Sequence, residues 1–500
     1  MAAGAALPVS IPPAQAEVAA FLAARAGRAP IETHISAVFV GADTVWKMKK
    51  AVRLPYLDFS TLAARAHFLG REFDLNRAAA PGLYRDVAAI VRAGDGTLDF
   101  APPAAGETVE RVLRMAPVPA GDFLDQIAAA GGLSPTLLDA LGDAVFADHA
   151  RRPPWREGDP AAALGSVAAG NAVSARAAGL AEPLVAAWEV GIAAAITARQ
   201  GWLRARQTGG FVRRCHGDLH LGNLCLFGGR PVPFDALEFD ESLARIDVGY
   251  DLAFLLMDLD TRGLRAAANR VLHRYLARGG DLGLLAGLAP FLSLRALIRA
   301  HIRASLGAAA EAAGLAQAAL AYLEPAAARL VAVGGLMGTG KSTLARALAP
   351  ELGAAPGAVV LRSDEIRKRL CGALPEEHLP PAAYRAEMGA RVNATLVASA
   401  REALAAGQAV VLDATFLDPA LREAAERLAR EAGVPFTGLW LSAPAAVLEA
   451  RVAARTGDAS DADVGVLRRA LASAPAAPPW MEVPASTADA ALAAARRALL

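Results

Sequence analysis

Apolar and polar positions alternate in two rhythms along this chain, and the rhythm changes near residue 326. In the first part the apolar runs are short and strand-like. Residues 36–40 and 44–48 predict paired strands, with Gly41-Ala-Asp43 as the hairpin turn between them. Residues 61–80 predict a helix stopped by Pro81-Gly82. Residues 109–115 predict a further strand, ended by Pro117 and Pro119. Residues 120–210 are alanine-rich and helical, with a break at Arg152-Pro-Pro154. Residues 213–227 form a polar loop with two histidines, and residues 264–323 are helical again. Beyond 326, the apolar runs 330–333, 359–361, 410–412 and 438–441 are separated by helical stretches. That alternation predicts a parallel sheet covered on both faces. Two domains are therefore expected, 1–325 and 326–500.

Composition narrows the class. The 500 residues exceed one ordinary core, and 54% apolar with 20% charged residues is a globular composition. A net charge of +1 leaves no electrostatic footprint for nucleic acid or an anionic membrane, so neither partner is expected. Three cysteines, Cys215, Cys225 and Cys371, are too few for a disulfide framework and suit a reducing compartment. The N-terminus lacks the basic stretch of a secretory signal. The apolar stretch 282–294 is shorter than a bilayer span and runs into Arg295 and Arg299, so it reads as a buried helix. A cytoplasmic protein is expected. Of 51 basic side chains only five are lysine: Lys47, Lys49, Lys50, Lys341 and Lys368. A lysine kept in such a chain points to a place that needs a compact ammonium rather than a guanidinium fork.

The sharpest motif is Gly335-Leu336-Met337-Gly338-Thr339-Gly340-Lys341-Ser342, followed by Thr343. It fits G-x-x-x-x-G-K-[ST] between a strand and a helix. Its glycines let backbone N–H groups face phosphate oxygens, and the helix start adds its positive end. Lys341 is expected on the β- and γ-phosphates of ATP and the Ser342 hydroxyl on Mg²⁺. Asp413 closes an apolar strand and suits a carboxylate near that metal; the alternative is a helix cap. Asp364, after the second strand, is a candidate base for an acceptor hydroxyl, with Arg367 one turn later to meet an anion; the alternative is an N-cap with an exposed arginine. Arg451 and Arg455, four apart on one helix face, predict a lid over the phosphates or else a solvated basic face.

A second constellation is His216-Gly-Asp218-Leu-His220-Leu-Gly-Asn223, followed by the strand-end carboxylate Asp235. A carboxylate that orients a hydroxyl and an amide that ligates Mg²⁺ need this kind of loop. A transition-metal site on His216, Asp218 and His220 is the alternative, though the cysteines give no standard zinc spacing. His216 reads as a holder of the loop.

These motifs resemble two families. Residues 328–500 resemble the small P-loop kinases, which include gluconate kinases, polynucleotide 5′-kinases and zeta-type toxins. Residues 30–300 resemble the aminoglycoside phosphotransferases, whose fold is similar to that of protein kinases. The order of the two halves, with Glu32-Thr-His-Ile-Ser36, Leu57-Asp-Phe-Ser-Thr61 and Leu361-Arg-Ser-Asp-Glu365, resembles a bacterial fused family of bifunctional aminoglycoside phosphotransferase/ATP-binding proteins. The resemblance implies an N-terminal α+β kinase-like fold and a C-terminal α/β P-loop fold. It implies Asp218 as catalytic base, Asn223 and Asp235 as Mg²⁺ ligands and Asp251 as a brace for the loop. It also implies a strand lysine paired to a helix glutamate: Lys47, or Lys49 on the same strand face, with Glu72. Residues 112–115 fall where a hinge would hold adenine. One departure stands out, because residues 31–36 lack the glycines of a kinase phosphate loop. The expected function is ATP-dependent phosphoryl transfer to hydroxyls of a small molecule. The alternative is a regulatory protein whose P-loop domain senses or hydrolyses ATP while the kinase-like domain only binds a ligand.

Overall fold

The computed structural model describes residues 10–54, 57–454, 459–473 and 478–499. The chain packs as two compact units. One comprises the chain up to Val185 with Gln200–Leu255 and His301–Ala308; the other comprises Ala186–Arg199, Leu256–Ala300 and the chain from Ala309.

The first unit carries a six-stranded antiparallel sheet. Its strands are β1 (Ile31–Glu32), β2 (Ser36–Val40), β3 (Val45–Lys49), β4 (Tyr84–Arg92), β5 (Leu98–Phe100) and β6 (Glu107–Met115), in the order β1-β2-β3-β6-β4-β5. The β2–β3 hairpin closes where Gly41 N donates to Thr44 O at 2.9 Å. Helix α1 (Ala16–Ala26) lays Val18 and Leu22 on one face, against Ala37, Phe39, Met48, Ile90 and Val112. Helix α2 (Leu62–Asn76) covers the other face with Leu69 against Leu83, Tyr84 and Leu113. Thr61 caps α2 by accepting from Ala64 N at 3.1 Å, which is why the helix starts where the polar-to-apolar switch predicts. Helices Pro135–Arg151, Pro160–Ala177 and Gln200–Thr208 complete an α+β unit.

The second unit is α/β. Strands β7 (Leu330–Gly335), β8 (Val359–Arg362), β9 (Val410–Asp413), β10 (Phe436–Ser442) and β11 (Met481–Pro484) form a wholly parallel sheet in the order β8-β9-β7-β10-β11. All residues of β7, β8 and β9 are buried, as expected of strands sandwiched between helices. The register sets Arg362 of β8 beside Asp413 of β9 at the carboxyl edge, where such sheets bind ligands.

The outer edge of β8 is closed by helix α3 (Arg265–Gly279). Asn269 Nδ2 donates to Ala358 O at 3.1 Å, and Val360 N donates to His273 Nε2 at 2.9 Å. Burial, with the charge of Arg346 adding to it, pushes the His273 ring down to about 3, so it stays neutral and accepts. An exposed sheet edge is thereby capped by a helix that precedes residue 326 in sequence. The run Leu282–Ser305 is apolar and long enough to cross a membrane, and 72% of its most apolar window is buried within the protein. Arg295, inside that run, is 4% exposed, as suits an interior helix.

Two candidate phosphate-transfer sites

The C-terminal site is built from backbone. Gly335, Gly338 and Gly340 have φ of 137°, 84° and 89°, a region that side chains disfavour. A Cβ at Gly335 would stand 2.6 Å from Leu441 O, and one at Gly338 would stand 2.9 Å from Leu448 O. Helix α4 (Lys341–Leu348) starts at the end of the loop, so its unpaired N–H groups face the phosphate position. Thr339 Oγ1 donates to Leu336 O at 2.8 Å and Lys341 Nζ to the same oxygen at 2.9 Å, which holds Leu336 and Met337 in an open arc.

Around this loop the side chains converge. Ser342 Oγ donates to Asp413 Oδ2 at 2.6 Å. Arg362 completes the group: its Nε donates to Asp413 at 3.1 Å, its Nη2 to Ser342 Oγ at 3.0 Å and its Nη1 to Glu365 at 2.7 Å. The hydroxyl and carboxylate oxygens of Ser342 and Asp413 form a hard donor set that fits Mg²⁺. Arg362 was not singled out in the sequence; the signal for it is the strand register, which sets it opposite Asp413.

Asp364 and Arg367 lie on helix α5 (Ser363–Leu370), directly after β8. Burial raises the Asp364 carboxyl above its ordinary range and the nearby Asp413 adds to this, against the opposing pull of Arg362 and Lys341. Arg367 Nη1 donates to Ala383 O at 2.8 Å, and its guanidinium lies 5.0 Å from the Tyr384 ring centre. Lys368 is buried, and its Nζ pairs with both oxygens of Asp461 at 2.7 and 2.8 Å. Arg451 donates to the main chain at Ala485 O (2.9 Å), Ser486 O (2.7 Å) and Gly338 O (3.4 Å). Arg455 lies outside the described residues.

The N-terminal site is built from side chains far apart in sequence. Lys47 Nζ on β3 pairs with Glu72 of α2 at 2.7 Å and with Asp235 at 2.5 Å. Burial works to lower the Lys47 ammonium, but the carboxylates of Asp235 and Glu72 more than offset it and raise it well above its usual value. Lys49 also enters the cluster, pairing with the second Glu72 oxygen at 2.6 Å and with Glu238. The geometry thus separates two lysines that share a strand face: only Lys47 meets the Asp235 carboxylate.

The loop before them is tied to helix Val248–Thr261. Asp251 accepts from Gly217 N at 2.8 Å and His216 N at 3.1 Å, and bonds His149 Nε2 at 3.0 Å. His216 Nε2 bonds Phe234 O at 2.9 Å, so it holds the loop. Asn223 Nδ2 donates to Asp218 Oδ2 at 2.9 Å, which turns its amide oxygen away from that carboxylate. An amide oxygen and the Asp235 carboxylate are again hard donors of the Mg²⁺ type. Among the described residues, His149, Cys215 and Asp251 are the group that sits within metal-ligating reach, rather than His216 and His220. Burial, with Asp251 and other carboxylates adding to it, pushes the Cys215 thiol well above its usual value, so that group is a hydrogen-bonded core cluster. At the expected phosphate loop, Thr33 Oγ1 accepts from Ser36 N at 3.0 Å, and Lys50 holds Glu32 at 2.8 Å. Residues 31–36 are therefore pinned by side chains where glycines would leave a loop free.

A family model described as an AAA domain matches residues 330–477. The protein Rv2004c of Mycobacterium tuberculosis, described only as uncharacterized, is 31% identical over 457 residues, covering 86% of this chain and 87% of its own. The adenylyl-sulfate kinase of Myxococcus xanthus is 34% identical over 123 residues, 23% of this chain and 59% of that enzyme. Among solved structures, a choline/ethanolamine kinase family protein from Mesorhizobium loti aligns with 62% of this chain and 99% of its own, at 16% identity and a TM-score of 0.33. The extent of the match to Rv2004c places this chain in the same family as that mycobacterial protein.

Proposed function

We propose that this chain is an ATP- and Mg²⁺-dependent phosphotransferase with two sites, a kinase-like one at residues 1–325 and a P-loop one at 326–500. Each transfers the γ-phosphoryl group of ATP to a hydroxyl of a small molecule, in the cytoplasm. The observation that carries this reading is Lys47 held between Glu72 and Asp235, beside the Asp218–Asn223 pair. A protein that only bound a ligand would have no need to keep the five charged groups of Lys47, Lys49, Glu72, Asp235 and Glu238 together in a largely buried cluster.

In the N-terminal site Lys47 orients the ATP phosphates and Asp218 accepts the proton of the attacking hydroxyl, while Asn223 and Asp235 would hold the metal. In the C-terminal site the N–H groups of 335–343 and Lys341 hold the phosphates, Asp364 takes the acceptor proton and Arg367 meets an acceptor anion. Ser342 and Asp413 would hold the metal there. Bound Mg²⁺ supplies neutralisation of charge on the phosphate oxygens.

The test is ATP consumption by the wild type, Lys341→Ala and Asp218→Ala, with and without a panel of hydroxyl compounds. Each variant is expected to lose transfer to its own site's acceptor. An Asp218→Ala protein unchanged in transfer and in binding of every panel member would remove the N-terminal enzyme. One observation favours the regulatory alternative: residues 31–36 are pinned and lack glycine. That alternative expects Lys341→Ala to abolish basal hydrolysis and to change ligand affinity in the kinase-like domain.

A further inference from the structure

Asp235 is one of two residues other than glycine that hold a left-handed backbone among those described, with φ of 61°. Such a conformation is disfavoured and persists only where flanking contacts over-determine it. Here every residue from 234 to 238 is tied down. Phe234 N donates to Asn223 O at 3.0 Å, Asp235 N to Tyr84 Oη at 2.9 Å, Ala236 N to Asn76 Oδ1 at 3.0 Å and Leu237 N to His216 O at 2.9 Å.

The tether continues beyond them through two carboxylates that the reaction does not use. Glu238, 4% exposed, pairs with the buried Lys49, and Lys49 is shared with Glu72. Glu241 faces three guanidiniums: Arg71, Arg214 at 3.3 Å and Arg245 at 3.1 Å. Two of these do double duty. Arg71 Nε also donates to Glu238 O at 3.1 Å, and Arg214 also donates to Leu237 O. Arg245 is set by the Trp155 ring, 3.8 Å from its guanidinium carbon. Glu241 therefore aims two arginines at the carbonyls two and three residues after Asp235. Three guanidiniums on one carboxylate form an anion seat, the arrangement that orders a loop when a phosphate is its occupant.

We propose that Glu238 and Glu241 are positioning residues for the N-terminal site: they lock the segment carrying Asp235 in its metal-binding conformation, with Glu241 acting as a permanent anion on Arg71, Arg214 and Arg245. The inference rests on the reading of Asp235 as a metal ligand. It makes the site permanently assembled, with no phosphorylation needed to order the segment.

The test uses the full chain with Lys341→Ala, which silences the P-loop site, and a non-hydrolysable ATP analogue as probe. Affinity is measured with Mg²⁺ and with EDTA. Adding Asp235→Asn should erase the Mg²⁺-dependent gain in affinity; if it does not, the underlying reading of the site fails, whatever Glu241 does. Glu241→Gln keeps shape and removes charge. It should lose at least tenfold of the Mg²⁺-dependent affinity while affinity in EDTA changes less than twofold. Glu241→Asp should stay within threefold of the parent. Inorganic sulfate at tens of millimolar should recover part of the loss in Glu241→Ala, because it fills the arginine seat, whereas sulfate competing at a nucleotide site would only lower affinity. Unchanged Mg²⁺-dependent affinity in Glu241→Gln, or an equal loss with and without Mg²⁺, overturns the proposal. If Glu241→Ala does not fold, Glu241→Gln and Glu238→Gln decide the matter alone.

Discussion

The two proposed phosphate sites solve one problem with opposite materials. The C-terminal site would cradle phosphate with consecutive N–H groups between Gly335 and Thr343, and its key side chains Lys341 and Ser342 belong to the same loop. The proposed N-terminal site draws Lys47, Glu72, Asp235 and the loop pair Asp218 and Asn223 from four separate segments and holds them by ion pairs and a hydrogen bond. A backbone cradle carries little cost in the absence of ligand, because its N–H groups are those that a helix start leaves unpaired anyway. A buried charge cluster is different: each member is needed to offset the desolvation of the others. Damage to the first site should therefore be chemical and local, and damage to the second should also be structural.

The largest effect should come from Glu72, which is fully buried and holds two buried lysines. Glu72→Ala leaves both ammoniums without this partner. Removing one member of such a buried pair costs about 3–5 kcal/mol. Urea denaturation of the full chain should show that loss in the transition reporting the first unit. A loss below about 1 kcal/mol would mean the cluster is only as valuable as a surface pair, and the two sites would not differ in this way.

Lys341→Ala is the counterpart in the cradle. It should lower ATP turnover at the C-terminal site by roughly 10²–10³-fold, the usual scale for removing one charge-stabilising donor. Thermal denaturation should hardly move. A large fall in stability would show that Lys341 supports the loop through Leu336 O more than it serves the phosphates.

The same contrast explains what was legible in the sequence. The cradle could be read directly, since Gly335 to Ser342 are contiguous and flanked by a strand and a helix. The Lys47–Glu72 pair was legible only because kinase-like order supplies a partner rule. Lys47 was the favoured lysine, but spacing alone kept Lys49, on the same strand face, as a possible one. What separates them is which lysine meets Asp235, 188 residues away, and no local pattern encodes that. Strand β4 escaped the reading for a related reason. Tyr84–Arg92 has no turn signal in mid-run, and a bulge at Tyr84/Asp86 upsets its alternation. The edge-capping His273 and the Glu241 arginine seat depend on tertiary register, so they had no sequence signature, and Arg362, though inside the Leu361–Glu365 motif, is set opposite Asp413 only by that register.

A pH profile gives a smaller and more selective comparison. Asp364 must be ionised to accept a proton, and burial raises its carboxyl. Transfer at the C-terminal site should then fall as pH drops through that raised value, above the range of an ordinary aspartate near 3.9. Nucleotide affinity at the same site should stay level over the same interval, because the cradle is built of backbone N–H groups that carry no ionisable proton. If affinity and transfer fall together, the acid limb belongs to nucleotide binding and not to Asp364.

The smallest effect should be at Arg451. Its guanidinium donates to Ala485 O, Ser486 O and, more weakly, Gly338 O, so it braces the phosphate loop from behind. Replacing it with alanine should cost about 1 kcal/mol, the ordinary net worth of such hydrogen bonds, and change nucleotide affinity only a few-fold. That outcome keeps the C-terminal site a backbone device, with the arginine as a support. A hundredfold fall in turnover with intact stability would instead mean that Arg451 leaves these carbonyls and folds over the transferring phosphate. The cradle would then need side-chain charge from a distant helix, and the two sites would differ less in kind than their geometry indicates.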